Sequence, residues 1–189
     1  MSKNNEYYES HVKELNAQYL AVSTEEVHQS WLSLIETSGK ALDVGTGVGR
    51  DAAFLARQGY SVTAVDASEK MLEQANFSEL PIDWFVNTLP KLNTVRSLDS
   101  KYDLILVSAV WQHIAPSQRS DAIRILSRLL APNGKIVVTL RHGEFSDSRT
   151  AFAVSKDELN EIARKLGLRF SVSGAAEREP DLLNFAYSK

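Results

Sequence analysis

The sequence predicts one α/β domain. From Ala41 onward, short apolar runs rich in β-branched residues alternate with segments of helical periodicity, the order expected of parallel strands joined by helical crossovers. Several of those runs are almost continuously hydrophobic, as strands covered on both faces should be. The 189 residues amount to little more than one common domain and suffice for a single substantial core.

The elements follow in order along the chain. Residues 1–38 are expected to form two helices, with Tyr7, Tyr8, Tyr19 and Trp31 scattered among polar residues as packing or as a lid over the core of 40–189. Strands are expected over Ala41–Val44, Ser61–Val65, Ile82–Val86, Leu104–Ser108 and Lys135–Leu140. Between the first two lies a short helix from Asp51 that Gly59 stops, with Phe54 and Leu55 on its sheet side. The next begins near Ser68 and carries Met71 and Leu72. A longer helix follows Pro116, where Ile123, Leu126, Leu129 and Leu130 form one apolar stripe before Ala131-Pro-Asn-Gly134 ends it. Ser155 and Glu158 have the spacing of a capping box for a last helix that stops at Gly167. Leu168–Val172 and Leu183–Tyr187 read as a closing hairpin at the sheet edge. No repeat or linker marks a second domain.

Composition excludes several classes of function. With 21 Lys and Arg against 24 Asp and Glu, the net charge is −3, which provides no broad basic face for nucleic acid. The absence of cysteine removes thiolate nucleophiles, sulfur-bound zinc, iron–sulfur clusters and disulfides. The four histidines, His11, His28, His113 and His142, show no paired metal-ligand spacing, so no metal is expected. The polar start of the chain does not read as a signal peptide, and the apolar run Leu104–Trp111 is too short to span a membrane. A cytoplasmic protein with neither membrane nor nucleic-acid partners is the expectation.

The informative segment is Ala41-Leu-Asp-Val-Gly-Thr-Gly-Val-Gly-Arg50, a strand running into three alternating glycines and then a helix. Gly45, Gly47 and Gly49 permit positive φ angles and close approach of a ligand to the main chain. The helix start that follows can receive polar or anionic groups. Asp66 stands 21 positions after Gly45 at the end of the second strand, where a carboxylate can accept both hydroxyl hydrogens of a ribose. A nucleoside cofactor is the reading. Gly47-Val-Gly-Arg-Asp-Ala52 also satisfies a loose dinucleotide fingerprint, but the Asp43 carboxylate suits a cationic ligand better than a pyrophosphate. Arg50 likewise fills the place where a small residue would let a dinucleotide's helix pack closely on its strand.

Four segments in order resemble the class I S-adenosylmethionine-dependent methyltransferases: Asp43-Val-Gly-Thr-Gly-Val-Gly49, Val65-Asp-Ala-Ser-Glu-Lys-Met-Leu72, Tyr102-Asp-Leu-Ile-Leu-Val-Ser-Ala-Val-Trp-Gln-His113, and Leu129-Leu-Ala-Pro-Asn-Gly-Lys-Ile-Val-Val138. The resemblance covers about residues 40–140. It implies a Rossmann-like three-layer sandwich with a seven-stranded, mostly parallel sheet and one antiparallel strand near the edge. It further implies S-adenosylmethionine as cofactor, leaving as S-adenosylhomocysteine. Asp66 would hold the ribose, and the glycine turn would approach the methionine part. Asn87 and Thr88 would flank adenine, although Asn87 departs from the family's usual acidic residue. Asp43, Thr46, Arg50, Ala67 and Ser108 complete the implied cofactor set. The tellurite-resistance type shares the compact size and the Gly-Arg-Asp turn.

Methyl transfer from a sulfonium needs alignment and exclusion of water, and a base only where the acceptor must lose a proton. His113, just after the fourth strand, is the candidate base, with simple loop packing as the competing reading. Trp111 is a candidate acceptor wall or an ordinary core aromatic. Arg141 and His142 follow the fifth strand, with Arg149 shortly after, and either meet an anionic acceptor or stand solvated. Tyr8 and Tyr19 are candidates to cover the site from the terminal segment. No Asn/Asp-Pro-Pro-aromatic sequence follows the fourth strand, which disfavours methylation of base amino groups. A small-molecule methyltransferase is the first expectation. An NAD-dependent oxidoreductase and a non-catalytic nucleoside-binding module are the alternatives.

Overall fold

The computed structural model describes residues 3–188 except positions 33, 34, 37, 76, 144 and 176–181. Three helices precede the first strand, where two were expected: α1 (Lys3–Ser10), α2 (Val12–Leu20) and α3 (Thr24–Leu32). His11 separates α1 from α2.

The core then alternates as expected: β1 (Gly39–Val44), α4 (Arg50–Arg57), β2 (Tyr60–Asp66), α5 (Glu69–Glu73), β3 (Ile82–Val86), α6 (Asn93–Ser97) and β4 (Tyr102–Ser108). A 3₁₀ turn at Trp111–His113 leads to α7 (Pro116–Leu129), β5 (Leu130–Arg141), α8 (Lys156–Lys165), β6 (Arg169–Ala175) and β7 (Leu182–Ser188). The seven strands form one sheet in the order β3-β2-β1-β4-β5-β7-β6. All neighbours are parallel as far as β5, whereas β7 runs antiparallel to both β5 and β6. The expected closing hairpin is present, but the last strand slots inside it and leaves β6 at the edge.

Strand alternation divides the core between two faces. On one, Leu42, Val44, Ile105, Val107, Ile136 and Val138 pack with Ile123, Leu126 and Leu129 of α7. On the other, Ala41, Val62, Ala64, Leu104, Leu106 and Val137 pack with Leu55 of α4 and with Trp31, which is fully buried. Trp31 is therefore a core residue rather than part of a cover. A fully buried aromatic of that size contributes several kcal/mol (about 3–5 on truncation).

β5 starts earlier than Lys135, directly where α7 ends. Its pairing with β4 slips between Tyr102 and Leu104. The turn residues that announce a helix stop are absorbed there as an irregularity: Asn133 takes φ +64°, and a Cβ on Gly134 would meet the Tyr102 carbonyl at 2.8 Å. The capping box of α8 is half formed. The Ser155 hydroxyl accepts from the Asp157 and Glu158 amides, but the Glu158 carboxylate turns to the buried Arg119. Among the described residues, no helix is long and apolar enough to cross a membrane.

Candidate functional site

The site begins where β1 ends. Gly45, Gly47 and Gly49 all take positive φ (+74°, +58° and +86°), so the chain coils tightly before α4 starts. A Cβ on Gly45 would lie 2.1 Å from Val110 Cγ2, while one on Gly49 would lie 2.4 Å from the Trp84 ring. Gly49 is therefore required by packing on β3. The amides of Gly45 and Thr46 donate to the Val65 carbonyl at 2.8 and 3.0 Å, which locks the turn onto β2.

Asp66 closes β2 with its carboxylate oxygens accepting from the Gly47 and Ser68 amides, both at 2.9 Å. Burial raises its pKa against those bonds. Asp43 lies buried beneath the turn and accepts from the Thr46 hydroxyl at 2.6 Å. Burial and then the charge of Asp51 push its pKa up. Asp51, in the first turn of α4, accepts from four donor atoms: Arg50 Nε (2.7 Å), Arg50 Nη2 (3.1 Å), the Thr24 hydroxyl (2.9 Å) and His28 Nε2 (2.9 Å). Burial opposes its charge, but His28 and Arg50 outweigh that and hold the carboxyl well below the usual range. Arg50 also reaches the Tyr19 and Val22 carbonyls at 3.5 Å, tying the terminal helices to the glycine turn.

The carboxyl ends of β1, β2, β4 and β5 open into a cavity of about 880 Å³. Of the residues singled out from sequence, the structure brings to its wall Gly45, Thr46, Gly47 and Arg50 from the turn, and Asp66, Ala67, Asn87 and Thr88 from the ends of β2 and β3. Ser108 and His113 join from β4 and its loop, Arg141 from β5, and Tyr8 and Tyr19 from the terminal helices. Asp43, Gly49, Trp111 and His142 do not line it. Asp43 can act on the cavity only through Thr46. Trp111 is fully buried in the core, because the 3₁₀ turn sends it inward while His113, two residues on, faces the cavity.

At the far end of the cavity, His113 Nε2 lies 3.1 Å from the Tyr8 hydroxyl and Nδ1 lies 3.1 Å from the Thr150 carbonyl. Its ring stacks on Phe145, with centroids 5.4 Å apart. The guanidinium groups of Arg141 and Arg149 also lie over Phe145, at 4.2 and 3.9 Å. Burial, then Arg149 and Arg141, lower the His113 pKa, so the ring is neutral at neutral pH. Arg149 is held by a two-point pair with Asp147, whereas Arg141 Nη1 is buried with no partner among the described residues. No group of three or more His, Asp or Glu among the described residues could hold a metal.

Residues 41–134 match the methyltransferase-domain family. Together with the turn, Asp66 and the sheet order, this decides the family. The chain belongs to the class I S-adenosylmethionine-dependent methyltransferases. It is 33% identical over 102 residues to the ubiquinone biosynthesis O-methyltransferase of Rickettsia typhi, a match covering 52% of this chain and 39% of that protein. An uncharacterized methyltransferase of Staphylococcus carnosus is 28% identical over 102 residues, covering 53% and 46%. The chain thus matches less than half the length of these relatives. Among solved structures, 1,6-didemethyltoxoflavin-N1-methyltransferase of Burkholderia thailandensis, with 1,6-didemethyltoxoflavin and S-adenosylhomocysteine bound, superposes with TM-score 0.75 at 19% identity over 98% of this chain and 86% of that one. A TehB-like methyltransferase of Corynebacterium glutamicum gives 0.71 at 19% identity over 98% and 97%.

Within this methyltransferase fold, sequence reading missed Asn4, Thr24, His28, Asp51, Gln112, Phe145 and Thr150. Asp51 was adjacent to a motif residue and could have been suspected. Gln112 stood inside the segment Tyr102–His113, whereas the others lie outside the motifs in sequence, and only the folded chain brings them to the site.

Proposed function

We propose that the protein binds S-adenosylmethionine in this cavity and transfers its methyl group to a small-molecule acceptor. The observation that carries this is a single cavity lined both by the glycine turn and Asp66 and by His113, Tyr8 and Arg141. The residues present fit the cofactor. Asp66 faces the cavity with oxygens able to accept from ribose hydroxyls, and the turn lets a ligand approach the backbone at Gly45 and Gly47. Asn87 and Thr88 lie where they can flank the adenine. Of the two buried carboxyls beside the turn, Asp51 lines the cavity and is held ionised, which suits a cationic amino acid end and opposes a pyrophosphate, while Asp43 acts only by holding Thr46.

The bound cofactor supplies a methyl group on a sulfonium, whose displacement needs no covalent enzyme intermediate. The chain's own part is to align the acceptor, exclude water and receive a proton when one is released. Tyr8 and Tyr19 cover the cavity. Arg141, whose buried Nη1 has no hydrogen-bond partner among the described residues, is available to meet an anionic group of the acceptor. His113, neutral and half-buried, is placed to receive the proton.

Calorimetry with S-adenosylhomocysteine tests the first half, with saturable one-to-one binding expected and its absence overturning the reading. Release of labelled methyl to a panel of small acids, amines and phenols tests the second, with transfer to one of these classes expected. A protein that binds the cofactor but methylates a macromolecular acceptor instead would overturn the small-molecule assignment.

A further inference from the structure

Tyr8 and His113 come from segments far apart in the chain and meet on the cavity wall. The Tyr8 hydroxyl lies 3.1 Å from His113 Nε2 and 3.5 Å from Arg149 Nη1. On the other side of the imidazole, Nδ1 lies 3.1 Å from the Thr150 carbonyl and 2.9 Å from Asn4 Nδ2. The orientation of the Asn4 amide is set by the Thr150 amide, which donates to its Oδ1 at 2.6 Å, so Nδ2 is the amide nitrogen. That nitrogen has an acceptor of its own in the Thr150 carbonyl at 2.9 Å. A carbonyl only accepts. The Asn4 nitrogen carries two hydrogens, one for that carbonyl and one that a bare Nδ1 would accept at 2.9 Å, so these contacts admit either neutral tautomer; a protonated Nδ1 donates to the Thr150 carbonyl at 3.1 Å. In the tautomer with Nδ1 protonated, Nε2 carries the free lone pair and the Tyr8 O–H donates to it at 3.1 Å.

With His113 in that form the lone pair of the base is occupied, and an acceptor approaching His113 directly would have to displace Tyr8. We propose that His113 holds the Nδ1–H tautomer and that Tyr8 is itself a catalytic residue, taking the acceptor's proton on its oxygen while handing its own phenolic proton to His113 Nε2. The acceptor loses one proton and gains the methyl group, the sulfonium becomes a neutral thioether, and the positive charge ends on the imidazolium. The imidazolium then donates from Nδ1 to Thr150 and from Nε2 to Tyr8. Arg149, fixed by Asp147 and lying over the rings of Tyr7 and Phe145 at 4.8 and 3.9 Å, stabilises negative charge developing on the Tyr8 oxygen. The charged groups facing this pair are Arg149, Arg141 and, through Arg149, Asp147. The relay is complete only when α1 is docked by the reciprocal Asn4–Thr150 bonds, so the terminal helix supplies chemistry as well as cover. The inference rests on the proposed methyl transfer.

Imidazole ¹⁵N NMR of the protein saturated with S-adenosylhomocysteine, with His113 assigned by its loss in His113→Gln, tests the arrangement without an acceptor. The expected result is an Nδ1–H tautomer whose bare Nε2 resonance moves in Tyr8→Phe as its hydrogen bond is lost. An Nε2–H tautomer, or an Nε2 resonance indifferent to Tyr8→Phe, overturns the proposal. With an acceptor that must shed a proton, Tyr8→Phe should slow transfer about 10²-fold, the low end for a lost proton-transfer group, while S-adenosylhomocysteine affinity stays within about twofold. Transfer to an acceptor already anionic at the assay pH should be spared, and equal slowing of both would reduce Tyr8 to a wall. Failure of the wild type to bind S-adenosylhomocysteine would overturn the proposed methyl transfer, a failure distinct from a wrong His113 tautomer, which would then be read on the unliganded protein.

Discussion

The two ends of the cavity are built in opposite ways. At the proposed nucleoside end, the turn after β1 is held by the end of the adjacent strand β2 through backbone amides: the Val65 carbonyl receives Gly45 and Thr46, and the Asp66 carboxylate receives Gly47 and Ser68. At the acceptor end, side chains from α1, from the loop after β4 and from the segment after β5 hold one another through hydrogen bonds and ring contacts. The first arrangement needs only that β1 and β2 pair in register. The second needs distant parts of the chain to arrive together, so the acceptor end is where the fold can vary its chemistry without disturbing the cofactor.

That contrast predicts where substitutions act. Gly45→Ala should do the greatest damage, since a Cβ there combines φ +74° with a 2.1 Å clash on Val110. A loss of about 3–5 kcal/mol of stability, together with loss of cofactor binding, is expected from denaturant unfolding and calorimetry. A tolerated alanine would show that the turn is softer than the backbone bonds imply. His113→Ala should cut turnover by about 10²-fold or more while leaving S-adenosylhomocysteine affinity nearly unchanged. Equal losses of both would mean that the two ends are not separable.

Asp66→Ala should weaken S-adenosylhomocysteine binding by about 1.5–3 kcal/mol through loss of charge-assisted bonds to the ribose. Unchanged affinity would move the nucleoside elsewhere. The smallest effect is on pH dependence. His113 has its pKa lowered by folding, so the unfolded chain, titrating near 6.5, binds the proton first as the pH falls. The associated stability is complete above about pH 6.5 and is lost as the pH drops through the folded-state value. Denaturation midpoints at pH 7.5 and 5.5 (about one unit either side of 6.5) should therefore differ more in the wild type than in His113→Gln.

Much of the nucleoside end was legible in the chain itself. Alternating glycines after an apolar strand, with an acid closing the next strand, leave few backbone solutions, and Asp66, Asn87 and Thr88 all reach the wall. The exceptions are instructive. Asp43 and Gly49 belong to the motif yet do not line the cavity, because one is buried under the turn and the other packs on Trp84. Trp111 and His113 could not be told apart from spacing, since a 3₁₀ turn rather than an extended loop decides which of them faces the core.

Hydrophobic periodicity and turn chemistry, which act over a few residues, determined the order of the elements, the parallel core and the glycine-rich bend with its acid. Tertiary structure alone decided that β7 lies inside β6, that Asp51 gathers donors from Thr24 and His28, and that Tyr8 meets His113. The physical reason is range. Local backbone preferences are written into adjacent residues, whereas contacts between distant segments depend on how the whole sheet and its covering helices share space, and no short window of sequence carries that information.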